Sequence, residues 1–214
     1  MLTDIKGVIF DLDGTLVDSM WVWTQIDVDY LNIKGYSMPE NLRDEIAHLS
    51  FHQTAVYFKD KFNIKDSIDE ILNDWHNMAY NHYANNVKLK TGVKEFLDYL
   101  NSCNIKIALA TSNSIPLLEA CLNNNRIYDY FDSITTTDEV VNGKNCPDVY
   151  LLASKKLGIE PEHCLVFEDI LTAIQGAKAA NMRVIAVNDS ECTNSKEELL
   201  KYADKYIDSF KELL

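Results

Sequence analysis

The apolar run Val8-Ile9-Phe10 leads directly into Asp11-Leu12-Asp13-Gly14-Thr15-Leu16, which puts two carboxylates two residues apart at the end of a candidate strand. That spacing suits phosphoryl transfer. Asp11 can attack phosphorus in line and form an acyl phosphate, dividing one difficult displacement into two easier ones. Asp13 can protonate the leaving oxygen and then deprotonate the attacking water. Gly14 permits a sharp turn, and Thr15 with Leu16 can anchor the chain beyond it. A strand ending in an ordinary surface turn is the plain alternative, because Asp-Gly is a common turn pair.

Further polar clusters follow later apolar runs. Ile105 to Ala110 reads as a buried strand and delivers Thr111-Ser112-Asn113 ahead of a helix from about Ile115. A hydroxyl and backbone amides at that point suit phosphate oxygens. Thr111 or Ser112 can equally serve as an ordinary helix cap. Lys144 follows Asn142-Gly143 and precedes Pro147-Asp148, in a turn before a helix from about Asp148 to Lys156. It can reach a phosphate, or it can be one more solvated lysine in a chain with 20 Lys and Arg. Cys164 to Phe167 is a strand-like run ending in Glu168-Asp169. Paired acids after an apolar strand call for something cationic. The alternative makes Asp169 the N-cap of a helix Ile170–Asn181 and leaves Glu168 exposed.

Carboxylates gathered at strand ends repel one another unless a divalent ion sits among them. Mg²⁺ is the expected ion, because it is hard, takes oxygen ligands and binds one or two carboxylates together with a substrate phosphate. No Cys/His pairs at zinc spacing compete. Lys144 and Thr111 would hold the equatorial phosphoryl oxygens.

On these motifs the chain, from about Lys6 to its C-terminus, resembles the haloacid dehalogenase superfamily, specifically its β-phosphoglucomutase-like phosphatases and phosphomutases. The resemblance implies Asp11 as nucleophile, Asp13 as acid/base, Thr111 with Ser112 and Asn113 as phosphate binders, and Lys144 as the family lysine. It implies Mg²⁺ held by the Asp11 carboxylate, the main-chain carbonyl of Asp13, and the pair Glu168-Asp169. Departures from the pattern are visible. The family often has Gly-Lys-Pro-x-Pro-Asp where this chain has Gly143-Lys144-Asn145-Cys146-Pro147-Asp148, which predicts a looser lysine loop. Ile170 and Ala173 stand where a Ser and a Gly are common, which predicts a weaker hydrogen bond behind the metal pair.

Strand-like and helical segments alternate through Gly7–Phe10, Val93–Asn101, Ile105–Ala110, Pro116–Asn123, Ser133–Thr136, Pro147–Leu157, Cys164–Phe167, Leu171–Ala180 and Val184–Val187. This predicts an α/β fold, a Rossmann-like parallel sheet core with helices on both faces. Ligands of such sheets bind beyond the carboxyl ends of the strands, where the motifs fall. Asp18 to Asn86 breaks the rhythm and reads as helix throughout, with apolar stripes Trp21…Ile26…Tyr30, Ala55…Phe58…Phe62 and Ile68…Leu72…Trp75…Ala79…Tyr83. The expected organisation is therefore a core of residues 1–17 and 87–214 with an inserted all-helical cap, residues 18–86. Resemblance implies that this cap opens and closes on hinges near Val17–Ser19 and Asn85–Gly92.

His48, Phe51 and His52 align with the cap loop that reads the substrate in the resembled proteins. The sugar-phosphate mutase of that group has a glycine and an arginine in the neighbourhood held here by His48 and Phe51, and that arginine grips a distal phosphate. Its absence weighs against a mutase, which must hold a bisphosphorylated intermediate. The histidines can also be half-exposed residues of a cap helix with no ligand.

With 214 residues and 47% hydrophobic content, the chain can fill a sizeable core. A formal charge of -13 argues against a nucleic-acid surface. No apolar segment is long enough to span a bilayer, and no leader precedes Lys6, so a soluble cytoplasmic protein is expected. Cys103, Cys121, Cys146, Cys164 and Cys192 are odd in number and widely spaced, as expected of reduced thiols. Cys146, close to Lys144, is a reactive thiol or a passive one. Trp21, Trp23, Tyr57 and Phe58, read as exposed cap aromatics, can pack a weak homodimer, or they can pack within the cap of a monomer. The functional expectation is a Mg²⁺-dependent phosphatase of a small phosphorylated metabolite, a sugar phosphate or nucleotide-like ester. A sugar-phosphate isomerase and a non-catalytic phospholigand-binding module are the alternatives.

Overall fold

The computed structural model describes residues 3–46 and 51–214, without the side chains of residues 43 and 44. The chain forms two compact units, one of residues 1–20 and 87–214 and the other Trp21–Asn86. The first is built on a six-stranded parallel sheet of β1 (Gly7–Phe10), β4 (Lys106–Thr111), β5 (Ser133–Thr136), β6 (Cys164–Glu168), β7 (Arg183–Val187) and β8 (Lys205–Ile207), in the order β5-β4-β1-β6-β7-β8. The chain builds outward from β1 through β4 to β5, then crosses back to lay down β6, β7 and β8 on the other side. That reversal puts the topological switch point at the carboxyl end of β1, the place where sheets of this kind bind ligands.

Burial explains why these short runs are strands. Every residue of β1 and of β6 is buried, as parallel strands covered on both faces require. Alternation then splits the core. Phe10 faces one side, where its ring stacks on Phe167 at 4.9 Å and also meets Phe96 and Phe210. Ile9, Ala108, Val166 and Val184 face the other, packed with Val149, Tyr150 and Ala153 of α7 (Asp148–Leu157) and Ile174 and Ala177 of α8 (Leu171–Ala179). With a side-chain period of two, Asp11 inherits the face of Ile9 and Glu168 that of Val166, so both turn toward α7 and α8.

The structure refines several sequence expectations. The C-terminal segment adds β8, and Phe210, within a short 3₁₀ turn Phe210–Leu213, is fully buried. The stretch from Asp18 is not helix throughout: β2 (Val17–Asp18) pairs antiparallel with β3 (Lys88–Leu89), and two-residue strands are too short to carry a periodic signal. The helical unit consists of α1 (Trp21–Ile33), α2 (Leu42–Ile46), α3 (Phe51–Lys61) and α4 (Ile68–Asn85). Ser67 and Glu70 form a capping box that starts α4. In α4 Ile71, Trp75, Ala79 and Tyr83 are buried, whereas Ile68 and Leu72 are only half-buried, so the inward stripe runs through Ile71. Of the aromatics that could pack a dimer or the cap itself, Phe58 packs inside, fully buried with its ring 4.9 Å from that of Trp75, whereas Trp23 is exposed.

All 3 tryptophans, Trp21, Trp23 and Trp75, lie in the helical unit, so tryptophan fluorescence reports on that unit. Phe58→Ala is expected to destabilise it by about 3–5 kcal/mol through the cavity left against Trp75, measured by urea denaturation followed by that fluorescence. A loss below about 1 kcal/mol would mean the aromatic cluster does not organise the unit.

Candidate active site

Register brings the motifs together. Phe10 pairs with Leu109 on one side and Phe167 on the other, so one step further along Asp11 lies between Ala110 and Glu168, with Thr111 just beyond. Asp11, Thr111, Glu168 and Asp169 are all buried. The Asp11 amide donates to the Phe167 carbonyl at 3.0 Å, continuing the sheet into the loop. Leu16 and Val17 amides then return to the Leu12 carbonyl, and the tight turn between them runs through Gly14 in the left-handed region at φ 76°. A Cβ on Gly14 would overlap the Asp169 carboxylate, so glycine here serves both the turn and the close approach of the acidic pair.

Lys144 is not a solvated loop lysine. Its side chain is 11% exposed, and Nζ donates to Asp11 Oδ1 at 2.6 Å and forms an ion pair with Glu168 Oε1. Tyr150 donates its buried hydroxyl to the same Glu168 oxygen at 2.8 Å. Thr15 Oγ1 donates to Asp169 Oδ1 at 3.1 Å. The capping alternatives fall with this arrangement. Ile170, not Asp169, is the N-cap residue of α8, and Glu168 is buried. α6 (Ile115–Asn124) has Ser114 as its N-cap residue, not Thr111 or Ser112. Thr111 Oγ1 instead accepts from the Asn113 amide at 3.0 Å. Asp13 is half-buried and accepts from Ser19 Oγ at 2.6 Å and from Asn113 Nδ2 at 2.8 Å.

The electrostatics favour a cation. One carboxylate oxygen from each of Asp11, Glu168 and Asp169 lies within 4.8 Å of the others. Burial pushes Asp11 well above the usual carboxylate range; Lys144 opposes the shift, while Glu168, Asp169 and Asp13 add to it. Burial, reinforced by Glu168, pushes Asp169 up to about 7. Burial alone would lower Lys144, but Asp11 and Glu168 more than reverse that and hold it charged. One ammonium among three buried carboxylates leaves an excess of negative charge, which the raised acids relieve by taking up protons. An all-oxygen donor set with uncompensated charge fits a hard divalent ion of the Mg²⁺ type.

Comparison with known proteins gives the family. The model of the haloacid dehalogenase-like hydrolases matches residues 8–187. The chain belongs to this family. A Thermotoga maritima protein named phosphorylated carbohydrates phosphatase is 31% identical over 183 residues, covering 85% of this chain and 84% of the relative. Hexitol phosphatase B of Escherichia coli is 28% identical over 212 residues, covering 98% and 94%. The solved structure of a candidate β-phosphoglucomutase from Thermotoga maritima superposes with a TM-score of 0.88 at 29% identity, over 98% of this chain and 97% of that one.

In this haloacid dehalogenase-like hydrolase the lysine loop is seated by a glycine that the motifs did not single out. A Cβ on Gly176 of α8 would overlap the backbone carbonyl of Lys144 and crowd that of Cys146. The small-residue run Ala173, Gly176, Ala177, Ala180 was its only sequence signal. Within the lysine loop the Cys146 amide donates to Gly143 O at 2.9 Å and Asn142 Nδ2 donates to Asp148 Oδ1 at 3.2 Å. Tyr150 and Ser19 were also unmarked, since neither stands at a motif position. Cys146 is half-buried and free, as are the other cysteines in their own settings. His48 lies outside the described residues. His52 is exposed on α3, and the Phe51 ring meets Trp23 and Trp75 at 5.5 Å each.

Gly176→Ala is expected to displace Lys144 and lower kcat/KM for phosphoester hydrolysis by about 10-fold or more, with the circular dichroism of the folded protein retained. Unchanged kcat/KM would show that the lysine loop does not depend on this close packing.

Proposed function

We propose that this protein is a Mg²⁺-dependent phosphatase that hydrolyses a small phosphomonoester, a sugar phosphate or nucleotide-like ester, through a phosphoryl group carried on Asp11. The observation that carries the reading is Asp11 at the carboxyl end of β1, with Lys144 on one oxygen and Glu168 and Asp169 beside it. The names of the relatives, phosphatases of phosphorylated carbohydrates and of hexitol esters, support the same substrate class.

In the first half-reaction an Asp11 oxygen attacks phosphorus, the bond to the ester oxygen breaks, and Asp13 passes a proton to that oxygen as the alcohol leaves. In the second, Asp13 takes a proton from water as it attacks phosphorus, the Asp11–phosphorus bond breaks, and phosphate departs. Lys144, the Thr111 hydroxyl and the amides around Ser112 hold the phosphoryl oxygens through both steps. Mg²⁺, held by Asp11, the Asp13 carbonyl, Glu168 and Asp169, would supply the charge that keeps Asp11 ionised beside a phosphate dianion.

We assign the helical insertion, bounded at Trp21–Asn86 and not at residues 18–86, the role of cap, and we assign substrate choice to it. Phe51 and His52 are exposed there. The aromatic Phe51, packed on Trp23, supplies no cation for a second phosphate, which favours hydrolysis over phosphate transfer within a sugar.

Wild type incubated with Mg²⁺ and a panel of sugar phosphates and nucleotides is expected to release phosphate, and Asp11→Asn to release none above background. Conversion of glucose 1-phosphate to glucose 6-phosphate without net release would replace this reading with a mutase. A second test uses the metal site without turnover. Because Asp169 is raised to about 7 in the folded protein from about 3.9 unfolded, its ionisation opposes folding progressively as pH rises between those values. Without metal, Asp169→Asn should therefore raise Tm at pH 7.5, with the gain vanishing toward pH 4. Mg²⁺ should raise the Tm of wild type and not of the variant. A Tm gain that persisted at pH 4, or equal Mg²⁺ shifts in both proteins, would count against the ion site.

A further inference from the structure

We propose that Asn113 is a positioning residue for the acid/base carboxylate and not simply a phosphate binder; this rests on the phosphatase reading above. Asn113 ties two motifs together. Its backbone amide donates to Thr111 Oγ1 at 3.0 Å, which fills an acceptor position of that hydroxyl and leaves its proton to be given to a phosphoryl oxygen. Its side-chain Oδ1 accepts from the Ser114 amide at 2.8 Å, and its Nδ2 donates to Asp13 Oδ2 at 2.8 Å.

The amide orientation is determined by these partners. A flipped side chain would set its carbonyl against the Asp13 carboxylate and its NH₂ against the Ser114 N–H, losing both bonds at once. Ser19 Oγ holds the other Asp13 oxygen at 2.6 Å. With a donor on each oxygen the plane of the carboxylate is set, not merely its distance from Asp11. Asp13 stands on the turn after β1 and Asn113 on the turn after β4, so the bond crosses between neighbouring strand ends. A change in the phosphate-holding turn is thereby felt at the group that protonates the leaving oxygen.

The test separates protonation of the leaving group from every other step. Values of kcat/KM cover events up to departure of the alcohol, so they exclude the later hydrolysis in which Asp13 acts as base. Wild type, Asn113→Ala and Asn113→Asp are assayed at saturating Mg²⁺ on p-nitrophenyl phosphate, whose phenolate leaves without a proton, and on glucose 6-phosphate and glucitol 6-phosphate, whose alkoxides need one. General acids contribute about 10²–10⁴-fold. Losing one of the donors that orient Asp13 is expected to lower the ratio of alkyl to aryl kcat/KM by about 10-fold in both variants. Asn113→Asp keeps the acceptor for the Ser114 amide, so a loss shared with Asn113→Ala belongs to the bond with Asp13. Equal falls on all three esters would overturn the inference and return Asn113 to the phosphate seat, and an unmoved ratio would overturn it as well. Asp11→Asn assayed alongside keeps the two readings apart. Activity that depends on Asp11 with an unmoved ratio removes only the role of Asn113, while wild type inactive on every ester removes the phosphatase reading itself.

Discussion

Three carboxylates buried around a single ammonium impose the governing constraint on this molecule. Asp11, Glu168 and Asp169 are each at most 6% exposed, and folding must bring them together at the ends of adjacent strands where charge is least welcome. Lys144 neutralises part of that charge, and Tyr150 and Thr15 supply hydrogen bonds to Glu168 and Asp169. The rest is unresolved within the chain itself, as the upward shift of Asp11 and Asp169 shows. A site left short of positive charge is prepared to take it from outside. The same deficit that costs folding energy would favour a divalent ion and the lysine-bound end of a phosphoester.

The supporting structure follows from that constraint. Parallel strands with a period of two turn Asp11 and Glu168 to the same face, the one covered by α7 and α8. Lys144 can reach both only if the loop ahead of α7 lies almost in contact with α8. Gly176 permits that approach because any side chain there would collide with the Lys144 backbone. Gly14 does the equivalent work on the other flank, making room for Asp169 while turning the chain away from β1. Two glycines thus set how closely the charges can be packed. Lys90, at the return from the helical insertion, pairs with the buried Asp189 beyond β7 at 2.8 Å, so another strand end carries a compensated charge in the same unit.

Much of this was legible in the sequence because strand ends announce themselves. Apolar runs that stop abruptly at acids or hydroxyls marked β1, β4 and β6 and their loops. What stayed hidden was whatever periodicity cannot carry. The two-residue strands β2 and β3 are too short for a pattern, and Ser19 reaches Asp13 only because the turn after Gly14 folds back. Tyr150 is a buried aromatic whose hydroxyl meets Glu168, a pairing that no motif position marks. Phe58 stayed open between a dimer surface and the cap's own core because a helical stripe alone does not say which neighbour covers it. Thr111 and Ser112 resembled caps because capping and phosphate binding use the same hydroxyls and amides. Only the position of Ser114, one residue before α6, separates the two.

Each half of the proposed chemistry draws on a different part of the molecule. The groups that would move the phosphoryl group and its proton all belong to the unit formed by residues 1–20 and 87–214, where the sheet fixes them relative to one another. The groups assigned to substrate choice belong to Trp21–Asn86, whose own core is the aromatic cluster around Trp75 and Phe58. Side chains on that insertion can change without disturbing the register that pairs Phe10 with Phe167 and sets Asp11 beside Glu168. The relatives named for phosphorylated carbohydrates and for hexitols align with this chain over 183 and 212 residues. In the proposed reading the reaction and the choice of substrate are two parts of one division of labour: the sheet holds the charges, and the inserted helices are assigned the choice of substrate.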